Sequence, residues 1–174
     1  MIFKTIKLTC AALALICANA SATLMTFETR DIDHNAPGHG IDNTNFAQSW
    51  ADQTFGTITS TNVTEFTNMR SGNDTFSHLQ IDLSLVRDTA SWTIDLGLDA
   101  GFGAAVYLDG VLQGSRTDDL WWARNWNHSD VLSVSVDLTR SSQVLDIYWA
   151  EHCCDGPSSI RFTNDANQVR ALNV

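Results

Sequence analysis

Lysine is nearly missing from this chain, and both of its lysines, Lys4 and Lys7, lie in the first seven residues. Residues 23–174 therefore carry eight arginines against twenty acidic residues, and the whole chain has a formal net charge of −10. Proteins bind the phosphate backbone of nucleic acids mainly through lysine and arginine. This charge balance argues against nucleic acid as a partner.

Long apolar runs are missing beyond the first 22 residues. A membrane-spanning helix needs about 20 consecutive apolar residues, and the run at 8–18 is shorter than that. It follows Lys4 and Lys7 and precedes the small residues Ala20-Ser21-Ala22, an arrangement typical of a secretory signal peptide. We therefore predict a signal peptide over residues 1–22, and a secreted protein, extracellular or periplasmic, with no membrane anchor.

A helical stripe of apolar residues is missing as well, and short runs with a period of two take its place. Asp109-Gly110 between two such runs predicts a tight hairpin. The pattern indicates a single all-β domain over residues 23–174, built as an antiparallel β-sandwich of the jelly-roll type. The predicted strands are 24–29, one or two within 57–67, 78–86, 91–98, 104–108, 111–113, 131–138, 143–150 and 159–163.

Cysteine is scarce, since two of the four residues lie in the predicted signal peptide and the other two, Cys153 and Cys154, are adjacent. Neighbouring Cα atoms lie roughly 3.8 Å apart, below the usual disulfide span, and a minimal loop gains little entropic stabilisation. Because export favours oxidation, we predict a vicinal disulfide that stiffens a turn. The alternatives are a metal site, for which these thiols and His152 supply too few ligands, and a catalytic thiol, for which no partner motif is present.

A tryptophan-rich segment at 120–128 is the second unusual feature. Alternating side chains cannot place Trp121 and Trp122 on one face of a strand, so at least one of them is expected to be exposed. An exposed indole among polar side chains suits stacking on a sugar ring, whereas the alternative is a loop whose indoles cap the core. The predicted ligand-binding residues are Asp118, Asp119, Trp121, Trp122, Arg124, Trp126 and Asn127.

Several potential metal ligands collect in the segment 31–42, where His34 and His39 accompany three aspartates. Carboxylates suit calcium, and paired histidines suit zinc or copper. The spacing matches no established metal-binding loop, so a polar surface loop is the leading interpretation. Weak candidates for a calcium site are Asp31, Asp33, Asp42 and, from a later segment, Asp99.

The segments 90–101 and 106–110, together with 131–149 and 159–163, resemble the domain named after anthrax protective antigen. This resemblance implies a β-sandwich. Sugar-binding members of that group hold calcium with two consecutive aspartates, and the corresponding pair here is Asp99-Ala100. The resemblance therefore implies only one of the two carboxylates of such a site.

A second resemblance combines the leader, the residues at 26–30 and Cys153-Cys154-Asp155-Gly156. Together they resemble the CCxG family of exported bacterial proteins, many of which carry a PEP-CTERM sorting tail. That sorting system is associated with exopolysaccharide and biofilm matrix. The last residues, 171–174, show no such tail, so we expect a released protein.

These observations predict an exported, non-catalytic binding module for carbohydrate or an extracellular matrix polymer. Its contact surface would be the tryptophan-rich segment, with the Cys153-Cys154 turn beside it, because loops at one end of a sandwich converge. The alternative function is a structural or assembly component of an extracellular matrix or biofilm. No carboxylate pair stands out as catalytic, and the candidate cofactor is calcium.

Overall fold

A computed structural model describes residues 25–83, 91–138 and 143–170. The predicted signal peptide and the final residues 171–174 lie outside the described residues. In the described part the chain forms a short α-helix, a 3-10 turn and ten strands. The helix α1 is Phe46–Asp52, the 3-10 turn is Pro37–Gly40, and the strands are β1 Met25–Asp31, β2 Thr59–Val63, β3 Thr75–Asp82, β4 Ser91–Gly97, β5 Ala104–Leu108, β6 Val111–Arg116, β7 Leu132–Asp137, β8 Val144–Glu151, β9 Ser159–Asn164 and β10 Val169–Arg170.

The strands form two sheets with antiparallel pairing throughout the described ladders. The larger sheet has the order β2-β1-β3-β8-β5-β6, and the smaller one has the order β10-β9-β4-β7. The predicted antiparallel β-sandwich is confirmed. The hairpin predicted at Asp109-Gly110 is confirmed too, and both residues have the positive φ angles, 51° and 76°, that a tight hairpin turn uses.

The main core lies between the two sheets and follows the period-two pattern of the sequence. Alternate residues of β4, β7 and β8 point inward, as predicted, while the residues between them in β7 are exposed. Leu98, which follows β4, and Leu138, which follows β7, continue this pattern. The inward-facing residues are Trp92, Ile94, Leu96, Leu98, Leu132, Val134, Val136, Leu138, Leu145, Ile147 and Trp149. The last part of the predicted strand 78–86, residues 84–86, lies outside the described residues.

A second apolar layer, which the sequence pattern did not predict, covers the outer face of the six-stranded sheet. Helix α1 packs there, with Phe46 against Phe76 of β3 and Trp50 against Phe76 and Tyr148. The helix has only seven residues, too few for an apolar stripe to repeat. Its start is nevertheless marked, because the side chain of Asn45 accepts a hydrogen bond from the backbone N–H of Gln48.

The larger sheet brings three chain segments together at one end. Register places Asp31, the last residue of β1, opposite Thr75, the first residue of β3, and Thr75 opposite Glu151, the last residue of β8. The segments after β1, before β3 and after β8 therefore leave the sheet side by side.

As to membranes, none of the helices in the described ranges has the length and apolar character needed to span a bilayer.

If the outer layer belongs to the folded core, Phe46→Ala should destabilise the protein by about 3–5 kcal/mol, the usual cost of truncating a buried phenylalanine. Phe46 is 1% exposed, whereas Phe55 is 42% exposed and provides a matched control. Urea unfolding followed by tryptophan fluorescence measures both variants. Equally small changes in the free energy of unfolding for Phe46→Ala and Phe55→Ala would contradict a contribution of the outer layer to stability.

Candidate functional site

The Cys153-Cys154 turn lies directly after β8 and before β9. The two Cα atoms are 3.7 Å apart, and the two sulfur atoms face each other as a vicinal disulfide requires. Cys154 has a φ of 68°, in the left-handed region that few non-glycine residues adopt. The geometry is compatible with the predicted stiff turn, while the oxidised state itself stays a prediction.

Carboxylates from neighbouring segments hold the turn through its backbone. The carboxylate of Glu151 accepts hydrogen bonds from the N–H groups of Cys153, at 2.7 Å, and Gly101, at 2.9 Å. The carboxylate of Asp99 accepts one from the N–H of Gly156. Charge-assisted bonds of this kind are stronger than neutral ones, so the turn is tied to the segment that connects β4 with β5.

The other side of the turn is tied to the segment before β3. Asp155 accepts a hydrogen bond from the N–H of Gly72 at 3.0 Å and donates its own N–H to the side chain of Asn73 at 2.6 Å. The guanidinium of Arg70 also contacts Asp155. Two separate segments, the connection between β4 and β5 and the segment before β3, therefore meet at the Cys153-Cys154 turn.

Trp121 is held beside this turn by a backbone bridge. Leu120 and Ala100 exchange two backbone hydrogen bonds, of 2.9 and 3.1 Å, and both residues are fully buried. The next side chain, Trp121, is 61% exposed, whereas Trp122 is only 7% exposed. The expectation that at least one of the adjacent tryptophans would be exposed is confirmed.

Trp121 and the turn share a groove of about 540 Å³. Trp121 and Asp119 contribute from one segment, and the residues after β8 contribute from another. The size is in the range of ordinary small-ligand sites. The lining residues are His39, Asp99, Gly101, Phe102, Asp119, Trp121, Glu151, His152, Cys153 and Cys154.

The groove is acidic. Burial raises the pKa of Asp99, against the hydrogen bond from Gly156, and the charges of Asp119 and Asp155 raise it further. Burial also raises the pKa of Glu151, with a smaller contribution from the charge of Asp99. Since the affected carboxylates already accept backbone N–H groups, their structural role is to shape the groove, and they add acceptor oxygens to it.

A second hollow, of about 470 Å³, is lined in part by Trp122 and Trp126 of the tryptophan-rich segment. Trp122 and Trp126 pack with ring centroids 4.4 Å apart, and the guanidinium of Arg161 lies 4.5 Å from the ring centre of Trp126. Arg124 also lines this hollow. Trp122 lies so close to Gly97 that a β-carbon there would fall 2.2 Å from its ring. Five of the seven predicted binding residues are thus divided between two surfaces.

The structure does not bring the predicted binding residues together in one cavity. Only Trp121 and Asp119 line the groove beside the cysteines. Trp122, Arg124 and Trp126 line the second hollow, and Trp122 is buried there. Asp118 is paired with Arg116 instead, and Asn127, whose N–H bonds to the side chain of Asn125 at 3.1 Å, lines neither cavity.

The weak calcium candidates do not converge either. Asp33 and Asp42 accept hydrogen bonds from residues two positions later, and Asp99 is bonded to Gly156. The position after Asp99 is the buried methyl group of Ala100. None of the four aspartates, Asp31 included, belongs to a group of three potential metal ligands among the described residues. These residues do not fit calcium.

Sequence reasoning missed several residues of the groove: His39, Gly101, Phe102, Glu151 and His152. A partial signal was available for two of them, since Glu151 and His152 directly precede the unusual cysteine pair. His39 and Phe102 come from distant segments, and only the folded arrangement brings them there.

Comparison with known proteins gives a fold and no sequence family. The PA14 sugar-binding domain from an RTX adhesin is similar, with a TM-score of 0.60 and 8% identity over 87% of this chain and 95% of that one. The PA14 domain of the MpAFP antifreeze protein has a TM-score of 0.55 and 10% identity over 86% of each chain. An anti-sigma factor domain-containing protein from Clostridium clariflavum has a TM-score of 0.53 and 11% identity over 86% of this chain and 45% of that one. The fold is PA14-like.

This result confirms, for the fold, the expected resemblance to the protective-antigen type of domain. At such low identity the likeness concerns the fold alone. No family model matches the sequence, and neither does any curated protein. The resemblance to the CCxG family therefore stays a prediction.

The vicinal disulfide can be tested on the PA14-like domain by counting thiols. In protein purified without reductant, iodoacetamide should not modify Cys153 and Cys154 under denaturing conditions, because a disulfide blocks alkylation. After reduction, iodoacetamide should modify both cysteines. Intact-mass spectrometry with a peptide map measures this. Two alkylated cysteines in unreduced protein would contradict the prediction.

Proposed function

We propose that this protein is an exported, non-catalytic module that binds carbohydrate in the groove between Trp121 and the Cys153-Cys154 turn. The observation that carries the proposal is the exposed indole of Trp121 at a groove with fixed polar walls. Sugar rings present apolar C–H faces that stack on aromatic rings, and their hydroxyls donate to carboxylates. The PA14-like fold, seen in a domain named for sugar binding, supports the proposal as an analogy.

The charge of the groove narrows the ligand class. Asp99, Asp119 and Glu151 line the groove, and no lysine or arginine is among its lining residues. A uronate or sulfate group placed there would meet like charges, which is unfavourable. The groove therefore favours neutral glycans, whose hydroxyls can donate hydrogen bonds to these carboxylates. We infer a neutral polysaccharide of an extracellular matrix as the ligand.

Export is supported by the sequence alone. The basic, apolar and small-residue segments at 1–22 have the order of a signal peptide, and an oxidised cysteine pair would be stable outside the cytoplasm. N-terminal sequencing of protein recovered from the periplasm or medium should give Thr23 as the first residue. Recovery only in the cytoplasm, with residues 1–22 still attached, would contradict this localisation.

Trp121→Ala should weaken binding to the best neutral glycan about tenfold, since an aromatic stacking contact contributes about 1.5 kcal/mol. Trp126→Ala is the matched control, because Trp126 lies in the second hollow. A glycan array with neutral, uronate-containing and sulfated sugars identifies the ligand, and tryptophan fluorescence titration measures its Kd for wild type and both variants.

The outcomes separate the two surfaces. Loss of binding in Trp126→Ala with full binding in Trp121→Ala would move the site to the second hollow and overturn the proposal. Saturable binding to no glycan would remove the carbohydrate function altogether. Concentration-dependent self-assembly without glycan binding would favour the alternative, a structural component of the matrix. Thermal melts of both variants confirm that each is folded.

A further inference from the structure

Three histidines from two distant segments meet at one end of the groove. His34, His39 and His152 each offer a ligand atom, and these atoms lie within 4.8 Å of one another. The ring centroids are 4.8 to 5.5 Å apart. Within the described ranges this is the one group of three or more potential metal ligands.

The sheet register explains how the fold assembles this cluster. β1, β3 and β8 are neighbours, and the ends that carry Asp31, Thr75 and Glu151 lie side by side. His34 follows β1 by three residues, and His152 follows β8 directly. Asp74 directly precedes β3, and its carbonyl accepts a hydrogen bond from the N–H of Ile32 at 2.9 Å, so it lies between the two histidine-bearing segments.

The third histidine is placed by an unusual turn. His39 has a φ of 56°, and its neighbours Gly38 and Gly40 have φ angles of 60° and 74°. A left-handed conformation is unfavourable for a residue with a β-carbon and is often found at functional sites. His39 nevertheless adopts it, and its ring then faces His34, Phe102 and His152.

The polar atoms of the cluster are gathered but not satisfied. Nδ1 of His39 is buried and has no hydrogen-bond partner. Oδ1 of Asp74 lies 3.3 Å from Nε2 of His34 and 3.1 Å from Nδ1 of His152, yet it is buried without a hydrogen bond of acceptable geometry. Buried polar atoms are normally paired. The unpaired atoms of this cluster therefore point to a missing partner that would contact several of them at once.

Imidazole nitrogens in this number select a particular class of partner. Zn²⁺ and Cu²⁺ accept imidazole ligands, whereas calcium takes oxygen ligands. Metal-binding histidines usually donate their second ring N–H to a carboxylate, which orients the ring. Oδ1 of Asp74 lies close enough to His34 and His152 to accept these hydrogen bonds once the two rings turn toward a bound ion.

We propose that His34, His39 and His152 bind a divalent transition metal ion of the zinc and copper class, with Asp74 as the residue that positions His34 and His152. Nδ1 of His34, Nδ1 of His39 and Nε2 of His152 are the ligand atoms. Tetrahedral zinc with bonds of about 2.0–2.1 Å requires ligand nitrogens about 3.4 Å apart, so the exposed rings of His34 and His152 must move toward His39 when the ion binds. Three histidines fill three of the four positions of tetrahedral zinc.

This site does not depend on carbohydrate binding, because its ligands are distinct from Trp121, Asp119 and Asp99. It adds a second chemical function to the same groove. Loss of glycan binding in Trp121→Ala leaves the metal proposal intact, and failure to bind metal leaves the glycan proposal intact.

Isothermal titration of metal-stripped, unreduced protein with Zn²⁺ alone tests the proposal. Wild type should bind one Zn²⁺ per chain, while His34→Ala, His39→Ala and His152→Ala should each weaken binding at least tenfold. Asp74→Asn should weaken it about 10- to 100-fold, the usual effect of removing an orienting carboxylate. His128→Ala is the matched control, since His128 packs against Trp121 outside the cluster, and it should bind as wild type does.

Further arms identify the metal class and the ligands. Cu²⁺ should compete for the same site, and Ca²⁺ should not bind there. Absence of saturable 1:1 binding of both Zn²⁺ and Cu²⁺ to wild type would overturn the proposal. So would equal losses of binding in His128→Ala and His152→Ala. Circular dichroism verifies that each variant is folded. Because His34 is exposed, His34→Ala is the variant least expected to disturb the fold.

Discussion

The pairing of β3 with both β1 and β8 is the constraint on which the rest of the site depends. Backbone hydrogen bonds set this register, and the apolar residues of β3 and β8 enforce it, because a slip of one residue would turn every core side chain outward. With the register set, the segments that carry His34, Asp74 and His152 must leave the sheet at one end. The groove is built on these segments.

The carboxylates of Glu151 and Asp99 extend this constraint from the sheet to the loops. Each accepts backbone N–H groups, and together they join the cysteine turn to the segment between β4 and β5. That same segment holds Trp121 through the bridge between Ala100 and Leu120. Burial of the two carboxylates is unfavourable for their charged forms and raises the pKa of both. In return, the groove is preorganised.

Much of the fold was predictable, because sandwich strands carry their own pattern. The alternation in β4 and β7 correctly identified the core face, and Asp109-Gly110 correctly identified a hairpin. The outer layer was not predictable in the same way. Helix α1 is too short for apolar residues to recur at helical spacing. Phe76 and Tyr148 lie on the outer face of β3 and β8, and the alternation of apolar residues in these strands marks only their inner face.

The candidate site divides along the same line. By itself the sequence determined the β-sandwich, the exposure of one of two adjacent tryptophans and the geometry of an adjacent cysteine pair, because these follow from local periodicity and covalent geometry. Only the tertiary structure decided which surface each tryptophan joined and that His39 meets His152. Such meetings depend on strand order and register between residues more than 100 positions apart, and no local pattern encodes them.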